Sequence, residues 1–218
     1  MLRSPTCPHR AAIGEAGGRA LMLSLDRRDQ ASVEQAVSDA TAAFGGLDVL
    51  VNNAGVPSRG KQAVEVKRAE CENNLGINLT GTFFMSTASG RCLSGAGRPG
   101  CVISLVSTHG TVGSAGASAW GIAKAGISHM TRIVAIERAP HNIRVNVIAP
   151  GSTLTESRRT SLQDAERHAR MLHRIPLGRF GGSSRDGGID PLPRQPAGLV
   201  HHRADSAAGR WSDGIVIQ

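Results

Sequence analysis

The chain has 218 residues, 40% of them hydrophobic and 27 of them glycine, which suits one α/β domain with a sizeable core and argues against disorder throughout. Its formal charge is +8, with Arg158, Arg159, Arg167, Arg170, Arg174 and Arg179 in one stretch, but with 3% aromatic residues and no tyrosine it lacks the stacking platforms of a single-strand nucleic-acid binder. A solvated helix face accounts for those arginines better than a nucleic-acid partner. No apolar run reaches the roughly 20 residues of a membrane span, and the opening residues, with Pro5, Pro8 and His9, lack a signal-peptide core. The expected compartment is therefore the cytoplasm. Cys7, Cys71, Cys92 and Cys101 show no CxxC spacing, so free thiols are expected and no metal site.

In chain order, Ala20 to Leu25 reads as a short apolar strand. From Ser32 to Phe44 the residues Val33, Ala36, Val37, Ala40 and Phe44 fall on one helical face, with Ser32 as a candidate cap. Leu47 to Val51 is a strand, Glu70 to Ser89 a helix, Cys101 to Val106 a strand, Ala115 to Glu137 a helix and Ile143 to Ala149 a strand. Strands alternating with helices predict a parallel sheet covered by helices on both faces, with ligands gathering at the carboxyl ends of the strands. The strands are continuous apolar runs, as expected of strands buried on both sides. A further helix is expected from Leu162 to Leu172. Beyond Gly181 the periodicity stops, so the chain divides into a folded part, 1–182, and an irregular tail, 183–218.

Asn52, Asn53, Ala54 and Gly55 follow the second apolar run at once, which places two amides and a glycine turn at its carboxyl end. Alone, such a segment could be only a turn. Further on come Ile77, Asn78, Leu79, Thr80 and Gly81, then Ser107, then Lys124, then Pro150, Gly151, Ser152, Thr153, Leu154 and Thr155. In this order and spacing they resemble the short-chain dehydrogenase/reductase family. The resemblance runs from about Ala12 to Gly181 and includes Leu25-Asp26, where Asp26 looks like that family's adenine-contacting aspartate. Taken singly, Ser107 could cap a turn, Lys124 could be a surface charge, and Asn78 and Asp26 could be turn formers. Their joint spacing favours the functional reading.

The resemblance implies an α/β, Rossmann-like, doubly wound parallel sheet. It also implies an active site of asparagine, serine, tyrosine and lysine that moves a hydride between NAD or NADP and an alcohol or ketone. Counting back four residues from Lys124 reaches position 120, and thirteen more reaches Ser107. Position 120, where the family carries its tyrosine, is Trp120. One helical turn separates Trp120 from Lys124, so both side chains face one site. A phenol beside an ammonium can give up and take back a proton near neutrality, whereas an indole N–H only donates hydrogen bonds. Ser107 would polarise the carbonyl oxygen, Lys124 would bind the nicotinamide ribose and Asn78 would hold a relay water. The family's cofactor contacts fall on Asp26, Asn52, Ala54, Gly55, Lys124, Pro150, Gly151 and Thr155.

Two parts of the family pattern are missing. The glycine-rich phosphate turn should follow a first strand and open a helix, but Gly14, Gly17 and Gly18 precede the apolar run at 20–25. The match begins at what would be the family's third strand, so the sheet is expected to be incomplete. One strand would stand isolated and another would become an exposed edge, with about two strand spacings of 4.7–4.9 Å between them. Past Phe180 the family's closing strand is not recognisable. Synonymous codons for 185–218, read one nucleotide on, allow Ile-Thr-Gly-Gln-Thr at His201 to Asp205 and Asp-Gly-Gly at Gly209 to Ser212. A change of reading frame before the tail is the expectation, which makes His201 and His202 frame noise rather than metal ligands. The function expected is a weakened nicotinamide-dependent oxidoreductase; the alternative is a non-catalytic pseudoenzyme or inactive gene fragment. A small-molecule alcohol or ketone is the expected substrate, and pairing into a homo-oligomer through the long helices is possible by resemblance.

Overall fold

A computed structural model of the chain describes residues 8–57, 60–154 and 164–182. Helix α1 (Pro8–Glu15) leads into the 20–25 run, which is extended but pairs with no strand among the described residues. The predicted strand there is thus corrected to an unpaired segment. Its side chains still alternate, with Met22 and Ser24 exposed and Leu21, Leu23 and Leu25 half-buried. Leu25 packs on the core, but among the described residues no neighbouring strand bonds the backbone.

Helix α2 (Gln30–Phe44) starts two residues earlier than expected because Asp29, not Ser32, is its cap. Asp29 accepts hydrogen bonds from the backbone N–H of Ala31 at 3.1 Å and Ser32 at 3.3 Å. The predicted face holds: Val33, Ala36, Val37 and Ala40 are buried. Strand β1 (Val49–Asn52) follows, then α3 (Arg68–Leu75), a single π turn (Gly76–Thr80) and α4 (Gly81–Gly95). The expected single helix over 70–89 is therefore longer and interrupted. Strand β2 (Gly100–Leu105), helix α5 (Ser118–Arg138) and strand β3 (Ile143–Ile148) complete the core. The ladder of β4 (Thr153–Leu154) and β5 (Gly181–Gly182) brackets α6 (Ala165–His173).

The main sheet is parallel in the order β1-β2-β3, a Rossmann-like α/β arrangement. Register puts Leu50, Val102 and Val145 in one row and Asn52, Ser104 and Val147 in the next. All six are buried, and α4 packs against all three strands while α5 packs against β3. The opposite face is more open: Val51 is 42% exposed and Arg144 is exposed. The expectation of burial on both faces is met on one only, because the described helices α2, α4 and α5 pack with one another rather than dividing between the two sides. Within α5, Ala119, Ala123, Ile127, Met130 and Val134 recur at helical spacing and are buried, which fixes the rotation of that helix and points Lys124 inward.

Candidate active site

The carboxyl ends of β1 and β2, the π turn and the first turns of α5 meet at one place. Asn52 ends β1 and is buried; its amide donates to Ser86 Oγ at 3.0 Å and to Ser104 Oγ at 3.3 Å, which ties β1 to α4 and β2. The loop beyond it passes over Asn78, which is 1% exposed. Asn78 Oδ1 accepts from Val56 N–H at 3.1 Å, and its Nδ2 donates to Val56 O at 3.0 Å and Asn74 Oδ1 at 2.9 Å. The π turn makes this possible, since one extra residue in the turn redirects the side chains that follow it. Asn78 O accepts from the Thr82 hydroxyl at 2.6 Å.

Gly55 is where the loop needs a glycine. A Cβ there would collide with Asn78 Oδ1 and would lie 3.9 Å from Lys124 Nζ. Lys124 is 7% exposed, and its ammonium donates to Leu105 O at 2.7 Å. Burial, and then the positive Arg27 nearby, bring its pKa down from 10.5 to about 8. Arg27, which the sequence did not single out, reaches in from the end of the 20–25 run. It donates to Ala54 O and, at 2.7 Å, to Thr82 Oγ1, and burial lowers its pKa to about 10.

Ser107, 7% exposed, caps the short turn Thr108–Gly110 after β2, with Oγ accepting from His109 N–H at 3.2 Å. The same oxygen lies 3.3 Å from His109 Nδ1. The His109 ring sits against Trp120, with centroids 5.4 Å apart and a 52° tilt. This turn lies tight on α5, since a Cβ on Gly110 would stand 2.9 Å from the Lys124 carbonyl carbon. His109 also escaped sequence reading; its place two residues after Ser107, in the turn at a strand's carboxyl end, was the available signal.

Of the predicted cofactor contacts, Asn52, Ala54, Gly55 and Lys124 converge. Pro150 and Gly151 follow β3 and are half-buried. Asp26 stands apart, exposed, with its carboxylate held by Arg28 Nε at 3.0 Å and NH2 at 2.7 Å, which draws its pKa to about 2. Thr155, residues 156–163 and the tail 183–218 lie outside the described residues.

A family model described as enoyl-(acyl carrier protein) reductase matches residues 7–187. A crystal structure of a short-chain type dehydrogenase/reductase from Mycobacterium marinum is 31% identical, superposes with a TM-score of 0.73, and is matched over 79% of this chain and 67% of that one. The chain belongs to the short-chain dehydrogenase/reductase family. Among its relatives, the L-rhamnose 1-dehydrogenase (NAD(P)(+)) of Azotobacter vinelandii is 36% identical over 170 residues, covering 78% of this chain and 66% of that protein. The 3-oxoacyl-acyl-carrier-protein reductase of Salmonella typhimurium is 38% identical over 168 residues, 77% of this chain and 66% of that protein. A crystal structure of NAD+-bound xylitol dehydrogenase, 28% identical, has a TM-score of 0.74, with 79% of this chain and 72% of that chain covered. The chain spans just under two thirds of the length of these two curated relatives. The order β1-β2-β3 fits the fourth, fifth and sixth strands of a doubly wound sheet whose strands run 3-2-1-4-5-6.

Proposed function

We propose that the chain is a nicotinamide-dependent oxidoreductase that interconverts an alcohol and a ketone, using NAD or NADP, at the carboxyl ends of β1 and β2. The observation that carries this reading is the meeting of Asn78 and Lys124 at Gly55, whose missing side chain lets the loop lie against Asn78 Oδ1, with Ser107 at the carboxyl end of the neighbouring strand β2. The ribose and nicotinamide end of the cofactor would lie here, with Lys124 as the ribose partner and the backbone at Ala54 and Gly55 close beside it. The pyrophosphate end has less support, because among the described residues no glycine-rich turn follows a strand and opens a helix. When bound, the cofactor supplies or accepts the hydride. The residues of the chain hold the carbonyl oxygen at Ser107 Oγ and keep a positive charge at Lys124. Both N–H groups of the Asn78 side chain are already used, so a water held by Asn78 hangs from Oδ1 or from its main-chain carbonyl.

With an indole at position 120, proton exchange by the family's route is lost, a change worth about 10²–10⁴ in rate. The second reading, a non-catalytic relative, draws on Trp120 together with the weak phosphate end. The substrates in the relatives' names form the first assay panel: L-rhamnose, 3-oxoacyl-acyl-carrier-protein and, from a 35% identical 5-dehydrogenase of Escherichia coli, 2-dehydro-3-deoxy-D-gluconate. Slow turnover of one of them with NAD(H) or NADP(H), abolished by Lys124→Ala, is the expected result; weak cofactor binding with no turnover of any would establish the second reading. Resequencing the gene across Trp120 and 180–218 tests the frame change: an alternative frame with the family's ending makes the tail an artefact, and an unchanged sequence makes it genuine.

The oligomer reading has its own support. Ile122 (58% exposed), Ile133 (46%) and Ile136 (76%) fall on one outward face of α5, and Phe83 on α4 is also exposed. The family's helix-to-helix pairing is the proposed use of that face. Light scattering should report a dimer or larger, and Ile136→Glu a monomer.

A further inference from the structure

We propose that His109, acting through Ser107, is the proton-positioning residue that replaces the phenol absent at position 120. The inference rests on the oxidoreductase reading and deepens it. Three observations carry it. Ser107 Oγ lies 3.3 Å from His109 Nδ1, so the imidazole is within hydrogen-bond reach of the hydroxyl that faces the carbonyl oxygen. The backbone N–H of His109 donates to the same oxygen at 3.2 Å, which fixes its orientation. The ring also rests beside the very side chain that takes the tyrosine's place, 5.4 Å from Trp120 centroid to centroid.

The hydroxyl's valence agrees with this role. A serine oxygen accepts two hydrogen bonds and donates one. With Nδ1 protonated, Ser107 accepts from His109 N–H and from Nδ1–H, and its own O–H is left for the substrate oxygen. In the reductive direction the alkoxide takes the Ser107 proton: that O–H bond breaks and a substrate O–H bond forms. Ser107 Oγ then takes the proton from Nδ1, leaving neutral imidazole, which solvent reprotonates. The oxidative direction runs these transfers backwards, and the hydride is supplied or taken by the nicotinamide. An imidazole can exchange a proton near neutrality, as an indole cannot. The helix packed against this turn is α5, and the charged group it brings there is Lys124, whose ammonium is turned to Leu105 O. The pKa of Lys124, lowered by burial to about 8, lies above the ordinary imidazole value, and a break in rate that Lys124 contributed would survive in His109→Gln.

The test uses the full chain carrying Trp211→Phe, so that Trp120 is the one indole. Trp120 emission is expected to be quenched as pH falls through the imidazole range, to lose that transition in His109→Gln, and to move its midpoint downward in Ser107→Ala. Ketone reduction from the assay panel should fall with rising pH at the same midpoint, because the acid form is the donor. In His109→Gln that break should vanish and kcat should drop about 100-fold, with the NADH dissociation constant, read by calorimetry, unchanged. Equal kcat and an unchanged pH profile in His109→Gln overturn the relay while leaving the oxidoreductase reading intact. No turnover of any panel member, with the fluorescence transition present, defeats the oxidoreductase reading and the relay with it.

Discussion

On one side of the site, Asn52, Asn78, Ser107 and Lys124 are each at most 7% exposed and each is held by at least one hydrogen bond. On the other, residues 20–25 run without a strand partner among the described residues, and Asp26 and Arg28 form their ion pair in solvent. The first region is held by three strands, a π turn and α5. The second is held mainly by Leu25 against the core and by Arg27 reaching to Ala54 and Thr82. On the proposed reading, the reaction half of the site therefore rests on β1 to α5 and its nucleotide half on the neighbours of the 20–25 run.

The sharpest way to break this comparison is at Lys124, where the account expects the largest effects. Lys124→Ala should lower turnover at least about 100-fold, read as kcat/KM on the best panel substrate. The folded pKa of Lys124, about 8, lies below the unfolded value of 10.5, so the unfolded chain binds the extra proton between those values. Stability should therefore rise as pH goes from 8 to 10.5, by up to about 3 kcal/mol, and the rise should disappear in Lys124→Met. Urea melts at pH 7.5 and 10 decide this, and a flat or falling wild-type profile would contradict the burial of this ammonium.

Gly55→Ala probes the same half by packing. Its methyl group must displace Asn78, so the variant should lose roughly 1–3 kcal/mol in a thermal melt and bind NADH more weakly. Hydrogen exchange compares the two regions directly: amides of 21–25 should exchange quickly, and those of 101–105 should be protected to near global stability. The smallest effect is expected from Trp120→Tyr, which should raise turnover less than about tenfold, because among the described residues no glycine-rich turn follows a strand to hold the phosphate end of the cofactor. A larger rise would mean that the nucleotide half is better formed than residues 20–28 suggest.

Much of the reaction half was legible in the sequence, because side chains that must meet recur at fixed spacings. Trp120 and Lys124 are one helical turn apart on α5, and the amides at 52 and 53 stand where an apolar strand ends. The buried face of α2 was equally plain from Val33 to Ala40. Legibility failed where the deciding partner was distant in sequence or missing. The 20–25 run has a strand's composition, but strand formation needs a neighbour's backbone, which composition does not report. Asp29 rather than Ser32 capped α2 because either type can cap, and the loop geometry chose. The π turn carries no residue signature, yet it sets the aim of Asn78. Arg27 and His109 look like ordinary loop residues until the fold carries them to Thr82 and Trp120.

The central claim is that the loop at Ala54 and Gly55, with Lys124 beneath it, holds a nicotinamide nucleotide. Calorimetric titration of the full chain with NADH and with NADPH tests it most directly. The account predicts weak, saturable binding of at least one, reduced about tenfold or more by Lys124→Ala and untouched by His109→Gln. No binding of either, or binding that ignores Lys124, would contradict it.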